Sequence, residues 1–300
     1  MLAIVIPYYK LSFFEETLQS LANQTDKRFK VYIGDDASLK NPSNLIEKYR
    51  GQFDFVYHRF ESNLGGISLV KQWERCIAMI GEEEWIMILG DDDYLDSTVV
   101  NSWHKHYDAF YNKSNVVRFA SKAVDMRLNG FISDSFTHPL WENATDSYYR
   151  RFKGQTRSSL SEYVFSKESF LKYGFRDFPL AWHSDDAAWL DFSNDKLIYT
   201  ICESNIFVRH SDECISGSKE NQDLKSIASE NFCTQCIYTK LPLFVREQRK
   251  DLLMYYETSI KNNRKLKFNE WYKLMYFYTL NFQFIQLLKC FRRFIKSFYI

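Results

Sequence analysis

Short apolar runs alternate with amphipathic stretches along the first 120 residues. Leu2–Ile6 is a β-branched-rich run closed by Pro7 and predicts a strand. Ser12-Phe-Phe-Glu15 fits a capping box, and Phe14, Leu18 and Leu21 follow at helical spacing. Val31–Ile33 predicts a second strand, Ser43–Arg50 a short helix and Phe53–Phe60 a third strand. Val70, Trp73, Ile77 and Ile80 mark one face of a helix over Ile67–Ile80. Trp85–Leu89 is another apolar strand, and Ser97 starts a helix carrying Val100, Trp103, Tyr107 and Phe110. Strands that are apolar throughout, alternating with helices, predict an α/β fold with a mostly parallel sheet covered on both faces.

Beyond residue 120 the pattern loosens. Val116–Ala120 and Ala123–Arg127 read as a hairpin-like extension, and 133–158 as a long polar and aromatic loop. Ser166–Tyr173 and Asp223–Cys236 read as helices, Leu197–Ile201 and Ile206–Arg209 as strands. Trp271–Ile300 interleaves aromatics with Lys273, Lys289, Arg292, Arg293 and Lys296. Leu274, Phe277, Tyr278, Asn281, Phe284, Ile285, Leu288 and Phe291 fall near one helical stripe there. Such a segment suits either a membrane interface, giving peripheral association, or packing on the catalytic domain or a partner subunit.

Composition narrows the classes. Three hundred residues suit one large α/β domain, alone or with an appendage. Lys and Arg number 39 against 38 Asp and Glu, so no global basic field argues for nucleic acid. The six cysteines show no disulfide framework, and Cys233-Thr-Gln-Cys236 is a lone CxxC, read as ordinary thiols in a reducing compartment. With no charged leader before Leu2 and no run of about 18 apolar residues, neither a signal peptide nor a membrane span is expected. The expected location is the cytoplasm, including the inner face of the cell membrane.

In parallel α/β sheets, ligands bind beyond the carboxyl ends of the strands. Asp35-Asp36 follows one predicted strand and Asp91-Asp92-Asp93 another. Three adjacent carboxylates repel one another unless a cation or solvent relieves them. Magnesium or manganese needs only one or two of them and takes its other ligands from phosphate and water; an acidic solvated turn is the plainer alternative. Asp35-Asp36 suits hydrogen bonds from a base or ribose, or a simple turn and cap. Asp185-Asp186 suits a proton acceptor, or the first turn of a helix through Leu190.

Four strings in order resemble the signature of the family 2 GT-A glycosyltransferases: Ile4-Val-Ile-Pro-Tyr-Tyr-Lys10, Gly34-Asp-Asp-Ala-Ser38, Asn63-Leu-Gly-Gly66 and Leu89-Gly-Asp-Asp-Asp-Tyr-Leu95. The resemblance covers roughly residues 1–215. It implies a Rossmann-like GT-A domain over 1–218, with a nucleotide-binding part to about 120, an acceptor part beyond it, and a helical extension over 219–300. It also implies a nucleotide-diphosphate sugar donor of the UDP-sugar class, with Mg2+ or Mn2+ and inversion of the anomeric centre. Carried over by position, Pro7, Tyr8 and Tyr9 would line the nucleotide pocket and Asp35 and Asp36 the base, with Asn63, Gly65 and Lys71 beside them. Asp92 would be the main metal ligand, flanked by Asp91 and Asp93. Asp186, next to Asp185, would be the general base, and Arg209 or His210 would meet the diphosphate or metal. The implied acceptor is a glycan or lipid-linked hydroxyl in bacterial surface polysaccharide or lipopolysaccharide assembly.

Departures from the family pattern are Lys10 for Asn, Gly90 for the first Asp of Asp-x-Asp-Asp, Asp185 for Glu, and no Arg-Asn after the Asn63 turn, where Lys71 is the substitute. A catalytically silent nucleotide-sugar-binding module is the alternative. A nucleotidyltransferase would need a Gly-rich basic phosphate loop, which Pro7-Tyr-Tyr-Lys10 does not supply.

Overall fold

Every residue from Leu2 to Ile6 is fully buried, because their strand, β1 (Leu2–Tyr8), lies inside the sheet with helices on both faces. Residues 1–215, 217 and 220–299 are described by the computed structural model. The other strands are β2 (Phe29–Asp35), β3 (Asp54–Arg59), β4 (Trp85–Ile88), β5 (Tyr94–Leu95), β6 (Val116–Asp125), β7 (Phe131–Ile132), β8 (Trp141–Glu142), β9 (Tyr163–Ser166) and β10 (Ile198–His210). Their order is β3-β2-β1-β4-β9-β6-β10-β5, with β7 on β6 and β8 on β10. β3, β2, β1 and β4 are parallel neighbours, β9 is reversed, and β6 and β10 resume the first direction.

One face carries α1 (Phe14–Ala22), α2 (Ser43–Glu47) and, across the sheet, the helix α4 (Val99–Phe110) that follows α3 (Leu69–Ile77). Phe14, Leu18, Ile46, Trp103 and Phe110 join Ile4, Ile6, Val31 and Met87 in a single core. On the other face α3 presents Val70, Trp73 and Cys76. There Phe165 of β9 packs at 5.3 Å on Phe192 and 5.7 Å on Phe175. α5 (Ala144–Phe152), α6 (Lys167–Tyr173) and α7 (Ser184–Phe192) complete this part.

Several expectations change. Ser12 caps nothing: α1 begins at Phe14 without a side-chain cap, and the Ser12 hydroxyl donates to Glu213 Oε2 at 2.9 Å. The expected hairpin at 116–127 is one continuous strand, since Ser121 is buried in mid-strand and pairs with Phe136. Likewise 198–210 is one strand with a bulge between Ile201 and Asn205, where Ser204 bonds to Thr98 and Ser102. The expected loop 133–158 contains β8 and α5. The buried face of α5 is Ser147 and Tyr148, so no aliphatic periodicity announced it, although Asp146 and Arg150-Arg151 occupy the ends its dipole favours.

The chain divides into two units: Met1–Asp177 with Ser184–Glu220, and Phe178–His183 with Asn221–Ile300. The second unit contains α8 (Gln222–Thr239), α9 (Arg246–Asn263), α10 (Phe268–Leu280) and α11 (Phe284–Lys296). Its core includes Phe232, Cys236, Leu253, Tyr256, Trp271 and Leu274, and His183 stacks on Phe232 at 4.8 Å. Cys233 and Cys236 are both buried on α8. The single stripe expected over Trp271–Ile300 is broken at Asn281–Gln283, where Phe282 has φ +53. Leu274 and Tyr278 are buried, whereas Phe284, Ile285, Leu288 and Phe291 are exposed. Among the described residues no helix is long and apolar enough to cross a membrane.

Candidate active site

The acidic loop after β4 is stitched to three other segments. Asp91 Oδ2 accepts the backbone N–H groups of Tyr9 and Lys10, both at 2.7 Å, closing the end of β1 against the loop. Thr17 of α1 donates to the Asp93 carbonyl at 2.8 Å. Asp93 Oδ1 accepts Arg209 N–H at 2.8 Å and Oδ2 the Ser161 hydroxyl at 2.5 Å, while Ser161 accepts Gly90 N–H at 3.1 Å. The middle residue differs: no hydrogen bond from another described residue reaches the Asp92 carboxylate. Burial and the charges of Asp93, Asp91 and Cys214 push its pKa up to about 8. Asp91 is pushed up to about 6 by burial, against the two N–H groups that lower it, and Asp93 is raised by burial.

Among the described residues no three His, Cys, Asp or Glu side chains form a metal cage. The donors open to a cation are the Asp92 carboxylate and the second oxygen of Asp91. That set suits only an ion completed by phosphate and water. His210 is close enough to Asp93 and Asp125 for its charge to favour both carboxylates.

Arg209 follows the acidic loop from behind. It is buried, with Nε on the Asp92 carbonyl at 2.9 Å, Nη2 on Glu16 at 2.5 Å, and its guanidinium 4.2 Å from the Phe13 ring centre. Its place is that of a clamp behind the loop. Tyr8 is also buried, its hydroxyl donating to the Lys40 carbonyl at 2.9 Å, so of the Pro7-Tyr8-Tyr9 run the exposed ring is Tyr9.

At the end of β2 both carboxylates are engaged. Asp35 accepts from Ser38 N–H at 2.8 Å, Tyr57 at 2.7 Å and Arg59 at 2.7 Å. Asp36 accepts Leu64 N–H at 2.7 Å and Gly65 N–H at 2.8 Å and pairs with Arg75. A Cβ on Gly65 would lie 2.5 Å from Asp36 Oδ2, which explains the glycine. Asn63 closes the same turn by accepting Gly66 N–H at 2.6 Å. Lys71 is exposed in the first turn of α3, and the cation on Asp36 is Arg75, one turn later, lying 3.9 Å from the Phe60 ring centre.

The third acidic pair opens α7. Asp186 is buried, and Arg151 of α5 meets its Oδ2 at 2.6 Å. Burial and the neighbouring Asp186 push Asp185 up to about 7, against the pull of Arg151. Because β9 runs antiparallel to β4, its first residues lie at the end of the sheet where β4 finishes. Ser161 there holds Asp93, and Tyr163, two residues on, feels the charge of Asp186 and stacks on Trp189 of α7 at 4.2 Å. The segment Ser161–Tyr163 thus touches the acidic loop at one residue and feels the charge of Asp186 at another. Ser161, Arg75 and Arg151 were not singled out from sequence, since each acts through a partner remote in the chain.

Residues 3–160 match the family described as Glycosyl transferase family 2. The chain belongs to glycosyl transferase family 2. Over 129 residues, 42% of its length, this family 2 chain is 26% identical to the poly(ribitol-phosphate) β-N-acetylglucosaminyltransferase TarS of Staphylococcus aureus. That stretch spans only 22% of the relative. A crystal structure of S. aureus TarS 1-349 in complex with UDP-GlcNAc matches with a TM-score of 0.65, covering 91% of this chain and 78% of that one at 16% identity. The corresponding structure with UDP gives 0.62 at the same coverage. The likeness bears out the GT-A fold expected of a family 2 member, with its helical extension.

Proposed function

We propose that this chain transfers a sugar from a nucleotide-diphosphate donor, of the UDP-sugar class, to an acceptor hydroxyl with inversion. The observation that carries the reading is the uneven use of the three carboxylates after β4. Asp91 and Asp93 bind the protein's own N–H and O–H groups, and Asp92 is left for a ligand. The UDP-GlcNAc and UDP complexes of TarS support the donor class. Asp92 is the residue that would hold Mg2+ or Mn2+, with Asp91 beside it, and such an ion would neutralise charge on the departing diphosphate. Tyr9, and the turn held by Asp36 and Asn63, would border the nucleotide.

On the acceptor side the Asp185–Asp186 pair takes the hydroxyl proton as the acceptor oxygen bonds to the anomeric carbon. The bond from that carbon to the diphosphate oxygen breaks, and its electron pair leaves on the nucleotide. A carboxyl poised near neutrality suits proton abstraction. Arg151 orients Asp186 through the 2.6 Å contact to its Oδ2, so the two neighbouring carboxyls stand in different surroundings. We place the reaction in the cytoplasm, on a glycan or lipid-linked acceptor of surface polysaccharide or lipopolysaccharide assembly.

The test combines thermal shift with UDP-, GDP- and dTDP-sugars, with and without manganese, and a transfer assay on Asp92→Asn and Asp186→Asn. Expected are metal-dependent stabilisation by one nucleotide class in wild type, its loss in Asp92→Asn, and retained binding without transfer in Asp186→Asn. Unchanged turnover in both variants refutes the assignment. Binding by wild type with neither transfer nor hydrolysis identifies the silent module instead.

A further inference from the structure

Charge is unevenly distributed along this chain. Its last 40 residues hold nine Lys or Arg and one acid, a local net charge of +8, so the first 260 carry −7 within a total of +1. The one acid, Glu270, is buried and held by Arg264 at 2.7 Å and by Lys267 N–H at 2.7 Å. The surface of this segment therefore shows cations and no carboxylate of its own.

The same segment bares a continuous apolar stripe. On α11, Phe284, Leu288, Phe291 and Ile295 follow at i, i+4, i+7 and i+11, and all are exposed, Leu288 by 70%. The buried residue of that helix, Cys290, lies on another side. Lys289, Arg292 and Lys296 form the adjoining stripe at i, i+3 and i+7, all exposed and with no carboxylate at ion-pair distance among the described residues. Arg293, which points inward, is neutralised by Glu257 at 2.6 Å. Beside α11 a cavity of about 520 Å³ is lined by Phe268, Trp271, Phe294, Phe298, Lys265 and Lys296.

We propose that α11 docks this chain on an anionic lipid bilayer. Its Phe284-Leu288-Phe291-Ile295 stripe enters the headgroup–acyl boundary, and Lys289, Arg292 and Lys296 contact lipid phosphates. An apolar stripe bordered on one side by cations is the arrangement an interfacial helix requires. The aromatic cavity with Lys265 and Lys296 gives a phospholipid headgroup a second, deeper seat. A second copy meeting this one through the same stripe is disfavoured as the occupant, because two segments of charge +8 would then face each other. The inference concerns α10 and α11 and stands apart from the proposed chemistry.

The test is co-sedimentation of the full chain with phosphatidylcholine vesicles, alone or mixed with phosphatidylglycerol, at low salt and at about 1 M, where screening shortens to about 3 Å. Expected is pelleting with the anionic vesicles at low salt, reversed by salt. Lys289→Gln, Arg292→Gln and Lys296→Gln together should weaken partitioning about a hundredfold, at about fivefold per cation. Leu288→Glu with Phe291→Glu should abolish it, with the circular dichroism and nucleotide-sugar binding of wild type retained. Equal binding to neutral and anionic vesicles, or none to either, overturns the proposal. So does a wild-type dimer that light scattering finds monomeric in the Leu288→Glu/Phe291→Glu variant without any vesicle binding, since the stripe is then an interface between copies.

Discussion

Replacing Arg151 by Met keeps most of the aliphatic stem and removes the charge that Asp186 meets at 2.6 Å. The Asp186 side chain is 2% exposed and that of Arg151 25%, so the pair is largely but not wholly withdrawn from solvent. Deleting one partner of a buried pair costs about 3–5 kcal/mol, and the partial exposure of Arg151 places the expectation near about 3 kcal/mol. The loss must depend on pH. Asp185 is already raised to about 7, and without Arg151 the two adjacent carboxyls hold protons to higher pH still. The native variant then binds more protons than the unfolded chain from about pH 4 upward. Its stability falls as pH rises through that window, by up to about 1.4 kcal/mol per unit for each extra proton. Urea denaturation followed by tryptophan fluorescence should show a deficit of about 1 kcal/mol near pH 5, widening to about 3 kcal/mol near pH 8. An equal deficit at both pH values would mean that Arg151 contributes packing alone. A deficit below about 0.5 kcal/mol at both would put the pair among surface ion pairs. Either result refutes the role given to Arg151.

Three further outcomes follow from the site. In the reaction proposed above, the value of kcat/KM should fall about tenfold per pH unit below about pH 7, because there the carboxyl pair takes up the acceptor proton only when unprotonated. Asp185→Asn should move that limb to lower pH by removing the like charge beside Asp186, and a flat profile from about pH 5.5 to 8 contradicts this. Gly65→Ala should lower the melting temperature by roughly 5–10 °C, since the new Cβ must displace an Asp36 carboxylate pinned by Leu64 N–H, Gly65 N–H and Arg75. A change under about 2 °C in calorimetry would mean that the turn relaxes freely.

The β1–β4 half was legible because strands buried on both faces must be apolar throughout, and Leu2–Ile6 and Trp85–Leu89 are. The later half was obscured by buried polar residues. Ser121 and Ser204 look like turn residues, yet each sits inside a long strand with its hydrogen bonds met by Phe136, Thr98 and Ser102. α5 hides its only buried surface in Ser147 and Tyr148. In the site, acidic clusters at strand ends can be read from spacing, but which oxygen is satisfied and by whom cannot. That is why spacing alone does not separate the surroundings of Asp91, Asp92 and Asp93, and why Ser161, Arg75 and Arg151 were not singled out. Those distinctions are set by chain-distant neighbours such as Ser161, Glu16 and Phe60.

The helix that supplies Arg151 also ends in the segment that supplies Arg157, whose carbonyl is bonded by Arg118 and whose guanidinium is 3.4 Å from Glu162. A designer wishing to retarget the enzyme would naturally graft foreign sequence between residues 143 and 157, outside the parallel strands β1–β4. Such a chimera would silently discard the counter-ion of Asp186 and loosen the Ser161–Tyr163 connection at once. Transplants here need to carry arginines at 151 and 157, or to bring a replacement charge of their own.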